Sequence, residues 1–280
     1  MNSPGPEAFP LSLCPTGMVP QRSDSPHVPI EIDEIVEQVL ECAELGITSV
    51  HLHARRPDGE PTWQKEVFAE IISNIRVERP DLVICVTTSG RRVSDLAKRA
   101  DVLELAGDVK PDMASLTLSS MNFASSASIN SPETVQALAM KILESEIVPE
   151  IEIFDVGMVN YLNYLERKGL LKGPHVVNLL LGGVATAQAG LLDLGLLVER
   201  LPRGSLWSAA GIGRAQLRAN ALGLAAGGGV RVGLEDNLHY DDTRQELATN
   251  SGLVRRVLEL ADSLDRRPMT PGEFRDVLGR

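Results

Sequence analysis

The stretch Ser49-Val50-His51-Leu52-His53-Ala54-Arg55 reads as a β-strand, because Val50, Leu52 and Ala54 alternate with polar residues at a period of two. Residues two apart on a strand project from one face. His51 and His53 therefore point the same way, with Cα atoms about 6.5–7 Å apart. Two imidazoles at that spacing can converge on one ion with bonds of about 2 Å. The alternative is a pair of hydrogen-bonded core histidines, which would place two of the chain's five His on one buried face without a use for them.

Outward from this strand, strand-like and helix-like stretches alternate. Leu11–Cys14 is a short apolar strand ending in Pro15-Thr16-Gly17. A predicted amphipathic helix over 33–45 closes at Gly46. The turn Pro57-Asp58-Gly59 and a predicted helix over 64–79 follow the His strand. Further strands are predicted over 82–88, 113–119, 148–154, 176–181, 205–208 and 230–234, with helices over 94–105, 132–143, 158–168, 187–199, 214–226 and 243–264. Ser131-Pro132 has the form of an N-cap followed by proline at the first helical position. Thr270-Pro271-Gly272-Glu273 has capping-box spacing and opens a last short helix. Eight strand–helix pairs spaced by roughly thirty residues predict an α/β chain folded as a single (β/α)₈ TIM barrel. The barrel is expected over 10–280 with a C-terminal helical extension, and 1–9 as a flexible N-terminus. A doubly wound sheet would be expected to carry Gly-x-Gly-x-x-Gly after an early strand, and the chain has none there.

Composition narrows the functional classes. With 280 residues, 43% of them apolar, the chain can bury a large core. A net charge of −11 argues against a nucleic-acid platform. Cys14, Cys42 and Cys85 form no Cys-x-x-Cys pair, which fits a reducing compartment better than a disulfide framework. No leader-like segment or membrane-length apolar run stands out, so a soluble, cytoplasmic protein is expected.

Barrel enzymes place their chemistry at the C-terminal ends of the strands. Those ends supply Thr16; His51 and His53; Thr87, Thr88 and Ser89; Ser115 and Thr117, with Asn122 beyond; Glu150 and Glu152; Asn178; and the closing run Arg231-Val232-Gly233-Leu234-Glu235-Asp236-Asn237. Two His plus one carboxylate make an open catalytic zinc set. Glu235 is the candidate third ligand, its alternative being an ion pair with Arg231. Asp236, beside an Arg, is a candidate base whose orientation the guanidinium sets, or simply a cap. Thr87-Thr88-Ser89-Gly90 offers hydroxyls and backbone N–H groups suited to a carboxylate. Of Glu150 and Glu152, at least one should meet a cation: Arg231, the surroundings of a metal, or a substrate ammonium. His27, His175 and His239 fall on no convincing inward strand position.

The residues Pro15-Thr16-Gly17-Met18-Val19-Pro20, His27-Val28-Pro29, His51-Leu52-His53-Ala54-Arg55 with Asp58-Gly59 and Pro61-Thr62, 113–117 through Met121-Asn122-Phe123, 149–155, 211–214 and 231–237 together resemble the β-keto acid cleavage enzymes. The resemblance covers nearly the whole chain. It implies a zinc-dependent barrel that exchanges acyl groups between a β-keto acid and acetyl-CoA, giving acetoacetate and a new acyl-CoA. It places Zn²⁺ on His51, His53 and Glu235, the catalytic pair at Arg231 and Asp236, and the substrate carboxylate at Thr87. Thr88, Ser115, Thr117 and Glu152 join Thr87 as candidate substrate contacts, and the family assembly would be a homotetramer. The chain departs from the family at Val19, where members can carry Glu, and at Ser89-Gly90 followed by Arg91-Arg92, where a Gly-Gly is usual. Glu152 would favour a cationic substrate tail, whereas Met18 and Val19 favour an apolar one. Arg91 and Arg92 could meet the anionic parts of CoA. Two rivals are a metal-dependent hydrolase on the same His-x-His strand and a catalytically silent barrel that binds a small acid.

Overall fold

In the computed structural model, which describes residues 7–279, eight parallel strands close into a barrel. They are β1 (Leu11–Leu13), β2 (Ser49–Leu52), β3 (Val83–Val86), β4 (Met113–Thr117), β5 (Val148–Ile153), β6 (Val176–Leu181), β7 (Leu206–Gly211) and β8 (Gly229–Val232). Each pairs with the next, and β8 returns to β1 with Arg231 beside Ser12. The helices are α1 (Ile32–Glu44), α2 (Lys65–Glu78), α3 (Leu96–Ala100), α4 (Pro132–Glu144), α5 (Val156–Arg167), α6 (Leu191–Arg200), α7 (Ala215–Ala225), α8 (Asn250–Asp262) and α9 (Pro271–Leu278). The chain thus folds as the TIM barrel its alternation predicts. Among the described residues no helix is long and apolar enough to cross a membrane.

The period-two alternation divides the strands between two cores. Leu13, Val50, Leu52, Ile84, Val86, Leu116 and Ile151 belong to one large buried cluster with Ile35, Val39, Phe68 and Ile75 of the helices. Each such side chain contributes about 1.5–3 kcal/mol when fully buried. A separate small cluster joins Val83, Cys85 and Met113 of the strands to Phe274 of α9. Helix α9 therefore packs against strand residues at the end opposite the candidate chemistry.

The Thr270 capping box forms as predicted: Thr270 Oγ1 accepts from the Glu273 N–H at 3.1 Å, and Glu273 accepts from the Thr270 N–H at 2.8 Å. Arg267 holds the same carboxylate at 2.6 and 2.8 Å. The Arg267 hydrogen bond, and the backbone bond from Thr270, lower the Glu273 pKa to about 2. A carboxylate depressed on folding stabilises above its unfolded pKa and loses that contribution as pH falls through its folded one. Amide-exchange protection of α9, corrected for intrinsic rates, is accordingly expected to fall between about pH 4.5 and 2. Glu273→Gln should flatten that fall; an unchanged profile would place the acid response elsewhere.

Four local expectations give way to tertiary structure. Glu7–Phe9, read as part of a flexible terminus, forms a strand parallel to Arg266–Pro268, a pairing across most of the chain; residues 1–6 of that reading lie outside the described residues. The helix expected from 243 starts only at Asn250, capped by Thr249, because Asp241 accepts the Gln245 and Glu246 N–H groups and turns the preceding segment into a loop. The helix expected over 94–105 is shorter, α3 passing into a 3₁₀ turn at Asp101–Glu104. The His strand breaks after Leu52, and Ala54–Arg55 pairs antiparallel with Pro61–Thr62. The break lets Arg55 turn inward and bond the carbonyls of Gly17, Pro20 and Gly59 at 2.8–3.0 Å, tying the loops after β1 and β2 together beside the barrel mouth.

Candidate active site

His51 projects from β2 beside Cys85 of β3. Its Nδ1 lies 2.8 Å from Glu150 Oε2, and its Nε2 lies 3.3 Å from His53 Nε2. His53 Nε2 is in turn 3.3 Å from Glu235 Oε1. Ligand atoms of His51, His53 and Glu235 all fall within 4.8 Å of one another. Glu235 Oε2 is buried without a hydrogen-bond partner among the described residues. With Nδ1 donating to Glu150, a neutral His51 turns the lone pair of Nε2 toward His53. Two facing imidazole nitrogens and an orphaned carboxylate oxygen form a donor set that fits a divalent cation. Glu150 supplies the outer carboxylate that commonly fixes the orientation of a ligating His. Gly17 makes room for this arrangement: its φ is +62°, and a Cβ there would meet Glu235 Cγ at 2.5 Å.

Charge explains why so many ionisable groups tolerate burial. Arg231 is 1% exposed and bonds three carboxylates, with Nε to Asp236 at 3.2 Å, Nη1 to Glu152 at 3.3 Å and Nη2 to Glu235 at 2.7 Å. Burial alone would lower its pKa, but Asp236 and Glu235 outweigh that and keep the guanidinium charged. Burial pushes Glu235 up, yet His53 and Arg231 hold it well below the usual carboxylate range. Glu150 likewise stays low, its burial outweighed by His51. Burial and Arg231 drive His51 toward the neutral form, whereas Glu150 and Glu235 more than reverse this; a cation at Nε2 would compete with that proton for the same lone pair. Asp236 departs in the other direction: burial, reinforced by Glu235, raises its pKa against the pull of Arg231. Its Oδ2 accepts from Arg231 and from the Cys14 thiol at 3.3 Å, while Oδ1 has no hydrogen-bond partner among the described residues.

These groups lie at a cleft of about 440 Å³ lined by His53, Glu235, Arg231 and Asp236, together with Thr87, Ser89, Thr117 and Glu152. Its remaining walls include Met18, Val19, Phe123, Phe154, Leu180 and Val184. Two expected substrate contacts do not reach the cleft. Thr88 donates its hydroxyl to the Ser115 carbonyl at 2.6 Å, and Ser115 Oγ accepts the Thr88 N–H at 3.2 Å, so both are spent joining the end of β3 to β4. Two backbone N–H groups at that turn are also engaged, Ser89 N–H with Thr87 Oγ1 and Arg91 N–H with Ser89 Oγ. Glu152 lines the cleft, but it accepts from Thr117 Oγ1 at 2.6 Å and from Arg231. The partners of the β5 glutamates are therefore the Arg231 guanidinium for Glu152 and the His51 imidazole for Glu150. Thr16 is bonded to the Pro29 carbonyl instead of facing the cleft. His175 lies by Glu166 at 3.4 Å, away from the His51–His53 pair.

Glu150 as partner of His51 and Cys14 as partner of Asp236 were not assigned from the sequence. The Glu150–Glu152 alternation signalled only that both face inward. Nothing local pairs Cys14 with a residue 222 positions away.

The chain has relatives among known proteins. The chain is 36% identical over 259 residues to the 3-keto-5-aminohexanoate cleavage enzyme of Fusobacterium nucleatum, covering 92% of each. It is 34% identical over 273 residues to the 3-oxoadipate:acetyl-CoA acetyltransferase of Cupriavidus necator, covering 96% of this chain and 94% of that one. It is also 29% identical to the 3-dehydrocarnitine:acetyl-CoA trimethylamine transferase of Rhizobium meliloti, covering 96% and 95%. The solved structure of ObcA with oxaloacetate shares the fold, with a TM-score of 0.81, 22% identity and coverage of 91% and 68%. Residues 10–279 match the family model described as beta-keto acid cleavage enzyme, and the chain belongs to that family.

Proposed function

We propose that this protein exchanges acyl groups between a β-keto acid and acetyl-CoA, giving acetoacetate and the CoA ester of the remaining acyl group, with a zinc ion as its metal. The names of its relatives support acetyl-CoA as second substrate. One observation carries the reading: a three-residue donor set stands beside a buried carboxylate, Asp236, whose Oδ1 has no hydrogen-bond partner among the described residues and whose pKa is raised by burial.

His51, His53 and Glu235 would hold the ion, which when bound supplies polarisation of the substrate's β-carbonyl. The most acidic C–H of a β-keto acid lies between its two carbonyl groups. Asp236 Oδ1 takes that proton, with Arg231 and Cys14 fixing the carboxylate through Oδ2. The resulting carbon nucleophile adds to the thioester carbonyl of acetyl-CoA and expels CoA thiolate. The thiolate then attacks the original acyl carbonyl, and the C–C bond to the methylene carbon breaks. The electron pair left on that carbon takes the proton back from Asp236, which completes acetoacetate. Thr87 contributes a hydroxyl at the cleft, and Thr117 contributes by holding Glu152.

Incubating the zinc-loaded protein with acetyl-CoA and a panel of β-keto acids is expected to produce acetoacetate and acyl-CoA in equal amounts. Release of free acid without consumption of acetyl-CoA would favour hydrolysis. No turnover across a broad panel would overturn the reading.

A further inference from the structure

An anionic substrate needs a donor, and the cleft is nearly without one. Of its arginines, Arg231 has Nε and both terminal nitrogens committed to three carboxylates. Arg91 is the cation lining the cleft that no carboxylate pairs with, among the described residues. Its Nε is buried without a hydrogen-bond partner, and leaving a buried donor unmade is costly. Its guanidinium lies 3.7 Å above the Phe123 ring, and Phe123 stands edge-on to Phe154 at 6.1 Å. Stacking fixes the plane of a guanidinium and leaves its N–H edge free for a carboxylate.

The loop that carries Arg91 is held from behind. Arg99 donates to the Thr88 carbonyl and to Asn130 Oδ1, both at 2.8 Å. Gly90 packs so closely there that a Cβ would come 2.6 Å from an Arg99 nitrogen. The same turn has spent the backbone N–H groups of Thr88, Ser89 and Arg91 on its own hydroxyls and on Ser115. The side chains it still presents to a ligand include two hydroxyls, Thr87 and Ser89, and one unpaired guanidinium.

We infer that Arg91 joins the Thr87 and Ser89 hydroxyls in anchoring the carboxylate of the β-keto acid, and that the substrate's tail carries no second carboxylate. This rests on the proposed acyl exchange. The charge balance supports the second half: the cleft's other arginine, Arg231, is held by Glu152, Glu235 and Asp236. The cleft's further walls include the apolar Met18, Val19, Leu180 and Val184, with the exposed Asp24 among them. With its one unpaired guanidinium used on the obligatory carboxylate, the cleft keeps no arginine or lysine for a second carboxylate among the described residues.

Three measurements on zinc-loaded protein test this: binding of acetoacetate by calorimetry without acetyl-CoA, KM for acetyl-CoA, and relative kcat/KM for β-keto acids of equal length with uncharged or carboxylate tails. Arg91→Gln is expected to weaken acetoacetate binding by about 10- to 100-fold, the loss of one charge-assisted carboxylate contact. KM for acetyl-CoA should stay within about two-fold, and Arg91→Lys should recover part of the loss. In the unaltered protein the uncharged tail should be preferred over the carboxylate tail by at least about ten-fold, the scale of leaving one charge without a partner. A rise in KM for acetyl-CoA with acetoacetate binding intact would instead place CoA phosphates on Arg91 and overturn the assignment. A loss confined to carboxylate-tailed acids, or a preference for a carboxylate tail, would also overturn it. Absence of turnover with Arg91-dependent acetoacetate binding preserved would remove the acyl-exchange reading alone.

Discussion

Asp236→Asn is expected to lower kcat by about 10²- to 10⁴-fold, the range for removing a positioned general base, while divalent-ion uptake persists. The amide is nearly the shape of the carboxylate. It can still accept from Arg231 Nε and from the Cys14 thiol, the two contacts that fix Oδ2. What it cannot do is hold a proton between the two halves of the exchange. The donor set on His51, His53 and Glu235 does not include this side chain, so metal content measured on the purified variant should match that of the unaltered protein. KM for both substrates should change far less than kcat, because Asp236 is assigned a transfer step and not a binding contact. Unaltered turnover would strip the residue of that role. Equal loss of metal and activity would show that it acts through Glu235, its neighbour in the chain.

How much of this site the sequence discloses depends on how local each interaction is. His51 and His53 are legible because a strand puts residues two apart on one face, and their Nε2 atoms do meet at 3.3 Å. Glu235 is legible as an inward residue at the end of β8, because the barrel brings β8 round to β1. Glu150 is different. Its pairing with His51 spans 99 residues and requires β2 and β5 to face each other across the interior, which no period announces. Cys14 and Cys85 read as ordinary buried thiols, yet each lies 3.3 Å from a buried carboxylate, Asp236 and Glu150 respectively. The turn after β3 misleads for a related reason. Thr88 has the residue type of a substrate contact, but its hydroxyl is consumed by the Ser115 carbonyl, an outcome set by the register of neighbouring strands. The strand Glu7–Phe9 is short and pairs with residues near the other end of the chain, so its local pattern is too weak to mark it.

Arg231→Met should be the most destabilising single change in the barrel interior. The guanidinium is 1% exposed and touches Glu152, Glu235 and Asp236 at 2.7–3.3 Å. Methionine fills much of its volume, so the loss is one of charge and hydrogen bonding more than of packing. Removing one partner of a buried ion pair costs about 3–5 kcal/mol, because the other partner is left desolvated and uncompensated. Three carboxylates are exposed to that penalty here, which makes the upper part of the range the expectation. At about 2–4 °C per kcal/mol for a chain approaching this size, the apo protein's Tm should fall by roughly 6–20 °C. The carboxylates of the variant can relieve the penalty in two ways, and both make the effect conditional. They can take up protons: with the cation gone their folded pKa values rise above the unfolded ones, so the variant gains on the unaltered protein as pH falls toward about 4.5. They can also gain from a divalent ion bound at His51, His53 and Glu235, so zinc should close more of the gap in the variant than acid alone. Arg231→Lys should fall between the two, since one ammonium cannot reach three carboxylates in the fork geometry that Nε, Nη1 and Nη2 provide. A Tm insensitive to all of these substitutions would mean that the three acids are already satisfied by solvent or by one another, and that Arg231 does not hold the catalytic end of β8 in place.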